Sequence, residues 1–560
     1  MRRKSTDGRH RDARHFWSWE TVGQRLFGIY LVAVFVLIVC VAPVSTYAYK
    51  RSTALMNPLY CALAALALIG GCHVTVMRRL QADVARGPIV SGRLAKYRSR
   101  PGAFPVIISV GAAALFLLQM LILRKAPFTV GWDVYSITSP EASKDQFYFS
   151  TYPNQLFLAG VFEKLRLFGM RMGAESGYKF LVAGSCLCVT LSVVLMTFVA
   201  KRLKGTGVAY VCFAVAAVFI ELSPWAFVPY SDTYGMLFTT LIIWCYVCCP
   251  VMPIRWFAIA LCSYIGYSIK PTVIFALLAI VSVEVFTVVS GYMRSHKTGS
   301  VRSSRTFGVT GSPRHSATPT VISPTDGGAR RTAVIMLSMA GALLGFILGG
   351  VMVSHVSLKL VDGVDGARKF SMTHYLMMGF NLKDRGIYSR EDFDYSASQL
   401  NPQARQDANL RVFKERLTTT RFDRTVALLA DKTCTNYADG TFTWKLEGGS
   451  RAFRAEEPAQ KTFIGKIYGL GADDSPIAPI YQIMWLAILL GALACLLSRG
   501  PAGKYVNMAA FSLLFLSAFL TIFECRGRYV FLYSPYFVLL AAVGWRQMVD
   551  WMYVRISKLH

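Results

Sequence analysis

Charge is scarce in this chain, and acidic charge is scarcer still. Only 16% of its 560 residues are charged, with 31 acids against 60 Lys and Arg, whereas an ordinary soluble domain is about a quarter charged. That scarcity argues against the three or four soluble domains that the length alone would suggest. The sequence also lacks any Cys/His cluster at metal-ligand spacing. No basic face is interleaved with stacking aromatics, so nucleic acid is not the expected partner behind the net charge of +29. The first apolar run is too long for a signal peptide and no small-residue cleavage motif follows it, so a retained first helix is expected. No clear repeat relates the two halves.

What is present is apolar residues, 54% of the chain, in runs of about twenty. Such runs match the roughly 30 Å of hydrocarbon that a helix must cross, and a backbone without water must satisfy itself internally. The expected fold is therefore an all-α polytopic membrane protein. Runs near 27–48, 54–77, 103–123, 178–200, 207–222, 233–250, 254–269, 271–291, 333–354, 477–498, 503–523 and 529–548 predict about twelve transmembrane helices. The pair meeting at Lys270-Pro271 is open to reading as one broken segment. Of the 13 cysteines, all but Cys434 and Cys525 lie in or beside these runs, where Cys acts as a small hydrophobe. A disulfide between those two is left open.

Basic residues set the orientation. They crowd the N-terminus (1–26), the 78–102 connection, Lys201-Arg202-Lys204, the 292–332 segment and the C-terminal tail, all on one parity. Lys50-Arg51 dissents mildly. Both termini are expected in the cytoplasm of a multi-pass plasma membrane protein. Segment 292–332 is rich in Ser, Thr, Gly and Pro and is expected to be a disordered linker. It divides an N-terminal module (27–291) from a C-terminal one (333–560). Four pieces then face outward: the first outer loop 124–177, the turn 223–232, the segment 355–476 and the turn Glu524–Arg528.

The unusual polar residues collect on those outer pieces. Asp133, in Gly131-Trp132-Asp133-Val134-Tyr135, follows the third span closely, where a carboxylate is costly unless paired or used. It reads either as a general base or as a turn residue paired with a cation. Tyr152-Pro153-Asn154-Gln155 leads into an amphipathic segment, with Asn154 a plausible N-cap and Phe157, Leu158, Val161, Phe162, Leu165 and Phe168 on one face. That helix is expected to lie in the membrane interface. Asp232, opening the sixth span, reads as a helix cap or as a residue shaping a site. Lys270 reads as a snorkelling lysine or an anion ligand. His374, in a segment also carrying Asn381, reads as a proton carrier, a phosphate donor or a structural histidine. This segment is expected to lie on the membrane beside a cavity, and Arg411–Ala430 to form one soluble amphipathic helix. Arg526 and Arg528, beside Glu524, suit phosphate through the planar guanidinium fork; an Arg–Glu pair touching headgroups is the other reading.

Taken together, the Asp133 motif, the Tyr152–Gln155 entry, Ser231-Asp232-Thr233, the His374 to Tyr388-Ser389 stretch and Arg526-Gly527-Arg528-Tyr529 resemble the GT-C superfamily of integral membrane glycosyltransferases. The likeness is to bacterial relatives of the protein O-mannosyltransferase and lipid A aminoarabinose transferase group. Many of that superfamily carry an adjacent acidic pair in the first outer loop. Here Val134 follows Asp133, and the next acids are Glu141 and Asp145, which leaves a second acid and any divalent metal requirement open.

The resemblance implies a polyprenyl-phosphate sugar as donor and an extracytoplasmic glycan, lipid or protein hydroxyl as acceptor, joined with inversion on the outer face. Asp133 would be the base, and Lys270, Arg526 and Arg528 would hold the donor phosphate. Tyr152, Asn154, Asp232, His374, Asn381, Glu524 and Tyr529 would line the cavity. No cofactor is indicated. The alternatives from other classes are a transporter or flippase of lipid-linked sugars and a non-catalytic protein of envelope assembly.

Overall fold

The computed structural model describes residues 21–43, 55–86, 102–126, 128–130, 133–173, 177–302, 325–444, 461–470, 475–498 and 503–558. Among them every regular element is helical and there is no strand. Eight helices are long and apolar enough to cross a membrane: Val22–Val41, Asn57–Asp83, Ala103–Lys125, Gly177–Lys204, Pro271–Ser290, Thr332–Val356, Ala478–Leu497 and Lys504–Ile522. The remaining expected spans are helical too, as Thr206–Glu221, Ser231–Cys248, Met252–Ile269 and Ser534–Ile556, but fall outside that set of eight. Lys270 and Pro271 separate two helices rather than kink one, because proline pushes its predecessor to extended backbone (φ −148°, ψ 117°).

The last long helix forms the centre of the bundle. Its residues Ser534–Gly544 are all buried, against the Ala478–Leu497, Asn57–Arg86, Thr206–Ala216 and Gly177–Lys204 helices. One crossing is built on glycine: a Cβ on Gly544 would lie 1.9 Å from the Gly491 carbonyl oxygen, so the two backbones touch. Large side chains such as Leu66, Val110 and Met339 project outward from helices at the rim, as lipid-facing surfaces do.

Several boundaries differ from expectation. The helix before the linker runs on to Arg302 and the one after it begins at Thr325, so the ends of 292–332 are helical and 303–324 lies outside the described residues. The last span starts at Ser534; Gly527–Phe531 is a separate short helix, which sets Arg528 and Tyr529 apart from the span. Arg411–Ala430 is not one helix, because an extended break at Thr420 and Arg421 divides Pro402–Thr419 from Phe422–Tyr437. The stretch around His374 forms a helix, Met372–Gly379, that buries His374, Met377 and Met378 within a folded helical cap. Cys434 and Cys525 are buried free thiols, not a disulfide. The expected amphipathic helix is present as Leu156–Arg171, burying Phe157, Leu158 and Phe162, while Phe168, expected on the same face, stays exposed with Leu167 and Met170.

Candidate functional site

Helix ends at one side of the bundle converge on one polar cluster. Asp133 is the first residue of a short helix, Asp133–Thr138, and is half-buried. Its neighbours Gly131 and Trp132 lie outside the described residues. The carboxylate accepts a short hydrogen bond from the hydroxyl of Tyr230. Tyr230 sits in extended backbone just ahead of the Ser231–Cys248 helix. Thr233 caps that helix, its hydroxyl accepting from the Tyr230 amide at 3.2 Å.

Because Thr233 takes the capping role, Asp232 is released for another one, and the expectation of a capping Asp232 is corrected. Its carboxylate is 1% exposed and receives the Lys270 ammonium on one oxygen and the Arg528 guanidinium at 3.3 Å on the other. The two cations also lie over aromatic faces: Arg528 is 4.3 Å from the Tyr230 ring centre, and Lys270 is 4.1 Å from that of Tyr529. Tyr230 therefore touches Asp133 through its hydroxyl and Arg528 through its ring. Beside this group, Arg526 donates to Glu524 at 3.1 Å. Asp133, Asp232 and Glu524 balance Lys270, Arg526 and Arg528 in formal charge, so the cluster carries no excess charge into a largely buried place.

The arginine turn is held from outside. The Cys525 amide donates to the Gly386 carbonyl at 2.9 Å. A Cβ on Gly527 would meet Thr443 at 2.9 Å. Phe442 and Thr443 occupy left-handed backbone (φ 52° and 65°), a conformation costing about 1–3 kcal/mol per residue unless the surroundings enforce it. Here they do so: the Asp439 carboxylate accepts from the Thr441 and Thr443 amides at 2.8 and 3.0 Å, and Trp225 donates to the Thr441 and Phe442 carbonyls, both at 3.1 Å.

Tyrosines form the other side of Asp133. The Tyr148 hydroxyl is buried beside the Asp133 carboxylate. Its ring is 5.3 Å from that of Tyr152. Tyr375 and Tyr388 from the helical cap formed by residues 366–437, with Glu524, complete the surroundings of the Tyr152 hydroxyl, which burial and these neighbours hold firmly protonated. Tyr148, Tyr230, Tyr375 and Tyr388 are the site residues that sequence reasoning missed.

Three expected cavity residues lie elsewhere. Asn154 is exposed within the turn Pro153–Gln155 and caps nothing; Gln155 flanks the helix instead. His374 is 1% exposed, with Nδ1 2.7 Å from the Ser396 hydroxyl, which in turn donates to Asn409 at 3.0 Å. Burial pulls its pKa down to about 4, leaving a neutral core histidine. Asn381 donates to Asp392 at 3.0 Å, and Asp392 takes both Arg416 terminal nitrogens at 2.6 and 2.9 Å. That network ties the helical cap together. Among the described residues no three His, Cys, Asp or Glu side chains group closely enough to hold a metal ion.

A family model described as a conserved hypothetical integral membrane protein matches residues 103–549. The chain belongs to that family. The matched stretch contains the whole polar cluster, from Asp133 to Tyr529, and begins after the first two apolar helices. Family membership agrees with the eight long apolar helices: the protein is a multi-pass integral membrane protein. No curated protein and no solved structure matches the chain.

Proposed function

We propose that this protein is a GT-C-type membrane glycosyltransferase, moving a sugar from a polyprenyl-phosphate donor to an extracytoplasmic hydroxyl with inversion. The observation that carries this reading is the convergence of Asp133, Tyr230, Asp232, Lys270, Arg528 and Tyr529, drawn from four separate stretches of chain, at one end of the bundle. With about twelve spans in the plasma membrane and cytoplasmic termini, that end is the outer one.

The chemistry follows from the residue types. The acceptor hydroxyl gives its proton to Asp133 as its oxygen bonds to the anomeric carbon. The bond from that carbon to the phosphate oxygen breaks, and its electron pair leaves with polyprenyl phosphate. A phosphate needs no acid to depart; it needs charge stabilisation, which pre-positioned cations supply in a water-poor site. Lys270 and Arg528, fixed by Asp232 and the two tyrosine faces, are that group, with Arg526 beside them. The juxtamembrane Leu156–Arg171 helix walls the lipid entrance.

The test is purified protein incubated with a panel of polyprenyl-phosphate sugars in the presence of acceptor alcohols. The expected result is stoichiometric release of polyprenyl phosphate and formation of a glycoside. If no donor is consumed, or if donor crosses a vesicle bilayer intact in a protein-dependent way, the transferase reading gives way to transport.

A further inference from the structure

Outside the polar cluster, one acid is buried within the helical bundle itself. Glu221 ends the π-helical turn Ala217–Glu221 and is fully buried. Among the described residues it pairs with no basic side chain. Its polar neighbours are Gln119, on the Ala103–Lys125 helix, and Thr190, on the Gly177–Lys204 helix, both buried as well. We propose that Glu221 is a proton-binding site: it is held as the neutral acid, and its proton closes a hydrogen-bonded loop that fixes Tyr230 against Asp133. This goes beyond the transferase reading and does not depend on it.

The case is a count of hydrogens. Gln119 Nε2 donates to the Glu221 backbone carbonyl at 2.8 Å, which turns its Oε1 toward Thr190. The Thr190 hydroxyl lies 3.2 Å from that Oε1 and 3.0 Å from Glu221 Oε2. Threonine has one hydrogen for these two acceptors. If Glu221 is ionised, that hydrogen goes to the carboxylate, and Gln119 Oε1 faces an oxygen lone pair with no hydrogen between. A charge without a counter-ion is then buried as well, a state that proteins avoid by neutralising the group. If Glu221 keeps its proton, each contact has its own hydrogen. Glu221 Oε2 donates to Thr190, Thr190 donates to Gln119, and Gln119 donates back to the Glu221 carbonyl. Glu221 Oε1, the weak acceptor of a neutral acid, is the one oxygen of the loop left over.

The titratable groups around this acid supply no cation. They are the Cys186 thiol, on the Thr190 helix, and the Tyr468 and Tyr481 phenols, which donate to the Leu222 and Val218 carbonyls at 2.9 and 3.1 Å. The Thr206–Ala216 helix that leads into Glu221 has no charged residue. Arg124 and Lys125, beyond Gln119 on its helix, are exposed.

The position of the loop gives it a use. The helix holding Gln119 runs on to Asp133, and the turn holding Glu221 runs on to Tyr230. Both partners of the Asp133–Tyr230 bond therefore hang from this junction. Ser185, on the Thr190 helix, extends the same grip by donating to the Ala226 and Val228 carbonyls at 2.9 and 3.0 Å. Loss of the proton would release Gln119 from Thr190 and loosen both segments at once. A π-helical turn at this point fits such a role, since these turns recur at functional sites.

The experiment uses the full-length protein in detergent. Infrared difference spectra of wild type against Glu221→Gln at neutral pH are expected to show the stretch of a protonated carboxyl in the wild type alone. Thr190→Val should shift that band by removing its acceptor. Glu221→Gln copies the neutral acid, because its amide can donate to Thr190, so its melting midpoint should match the wild type at neutral pH. Raising the pH should then lower the wild-type midpoint more than that of Glu221→Gln. Thr190→Val should lower the midpoint, and its combination with Tyr230→Phe should cost less than the two losses added, since both act on one connection. An ionised carboxylate band, or a Glu221→Gln protein that fails to fold or melts well below the wild type, overturns the proposal. So does stabilisation of the wild type by sodium chloride over choline chloride, which would mark Glu221 as an ionised cation ligand. Additive losses in the Thr190→Val, Tyr230→Phe pair overturn it too, because Tyr230 would then not be held through the loop.

Discussion

The hydroxyl of Tyr230 donates to the carboxylate of Asp133, 97 residues earlier in the chain. That bond brings the acid that opens the Asp133–Thr138 helix to the start of the Ser231–Cys248 helix, and the same tyrosine ring lies under Arg528. A carboxylate and a guanidinium thereby share one support, which on the proposed reading are the base and a phosphate ligand.

Asp133→Asn keeps the shape of the side chain and its bond to Tyr230 but removes its basicity. Sugar transfer is expected to fall by at least about a hundredfold, with unchanged yield and melting behaviour. Tyr230→Phe, which removes one hydrogen bond, is expected to cost only several-fold. Steady-state turnover of the two purified variants checks both, and near-normal transfer by Asp133→Asn would end its assignment as base.

Removing Asp232 strands Lys270 and Arg528 together in a buried site. Asp232→Ala is expected to destabilise the protein by about 3–5 kcal/mol, because the remaining charges lose their counter-ion while still shielded from water. Asp232→Ala combined with Lys270→Ala should recover part of that loss, since the two are one network. Thermal midpoints in detergent measure this, and additive effects would mean that the pair is not coupled.

Arg528→Ala is expected to raise donor KM by a factor of ten to about a hundred, the worth of about 1.5–3 kcal/mol for a hydrogen bond to a charged group. Acceptor KM should hardly move. Arg526→Ala should act in the same direction. Arg528→Lys should not restore the wild type, as it lacks the planar fork that lies over Tyr230. Kinetics with donor and acceptor varied separately decide the matter; equal changes in both would argue against phosphate binding.

His374 sets a pH dependence on stability rather than on chemistry. Its folded pKa, about 4, is depressed from the ordinary 6.5, so the unfolded chain binds a proton more readily. Its contribution is then complete above about pH 6.5 and is lost as pH falls toward 4, by about 3 kcal/mol in all. The melting midpoint should drop over that window in the wild type, and His374→Gln should flatten the slope while keeping transfer at neutral pH. A folded His374→Gln protein without activity would return His374 to the site.

Much of this architecture can be read from the linear chain. Runs of about twenty apolar residues mark helices because hydrocarbon admits no unpaired backbone, and the break at Lys270-Pro271 follows from proline sterics alone. The amphipathic segment after Gln155 is likewise legible from its spacing. Local pattern served less well at Asp232 and Asn154. Both resemble helix caps, yet Tyr230 and Gln155 occupy the flanking positions, with the Thr233 hydroxyl completing the first of these caps, and only three-dimensional neighbours show it. His374 and Asn381 looked like chemistry because polar residues among apolar ones always do. Their partners Ser396, Asp392 and Arg416 lie in later helices of the cap and turn them into core fasteners.

The sequence by itself determined that this is a many-helix membrane protein with its notable charges gathered at helix ends, since solvent transfer acts on each segment separately. The tertiary structure decided which acid meets which cation. Asp232 finds Lys270 at 38 residues' remove and Arg528 at 296, and Asp133 finds Tyr230 at 97. Such pairings depend on how rigid helices cross and where their ends fall, a property of packing that no single segment encodes.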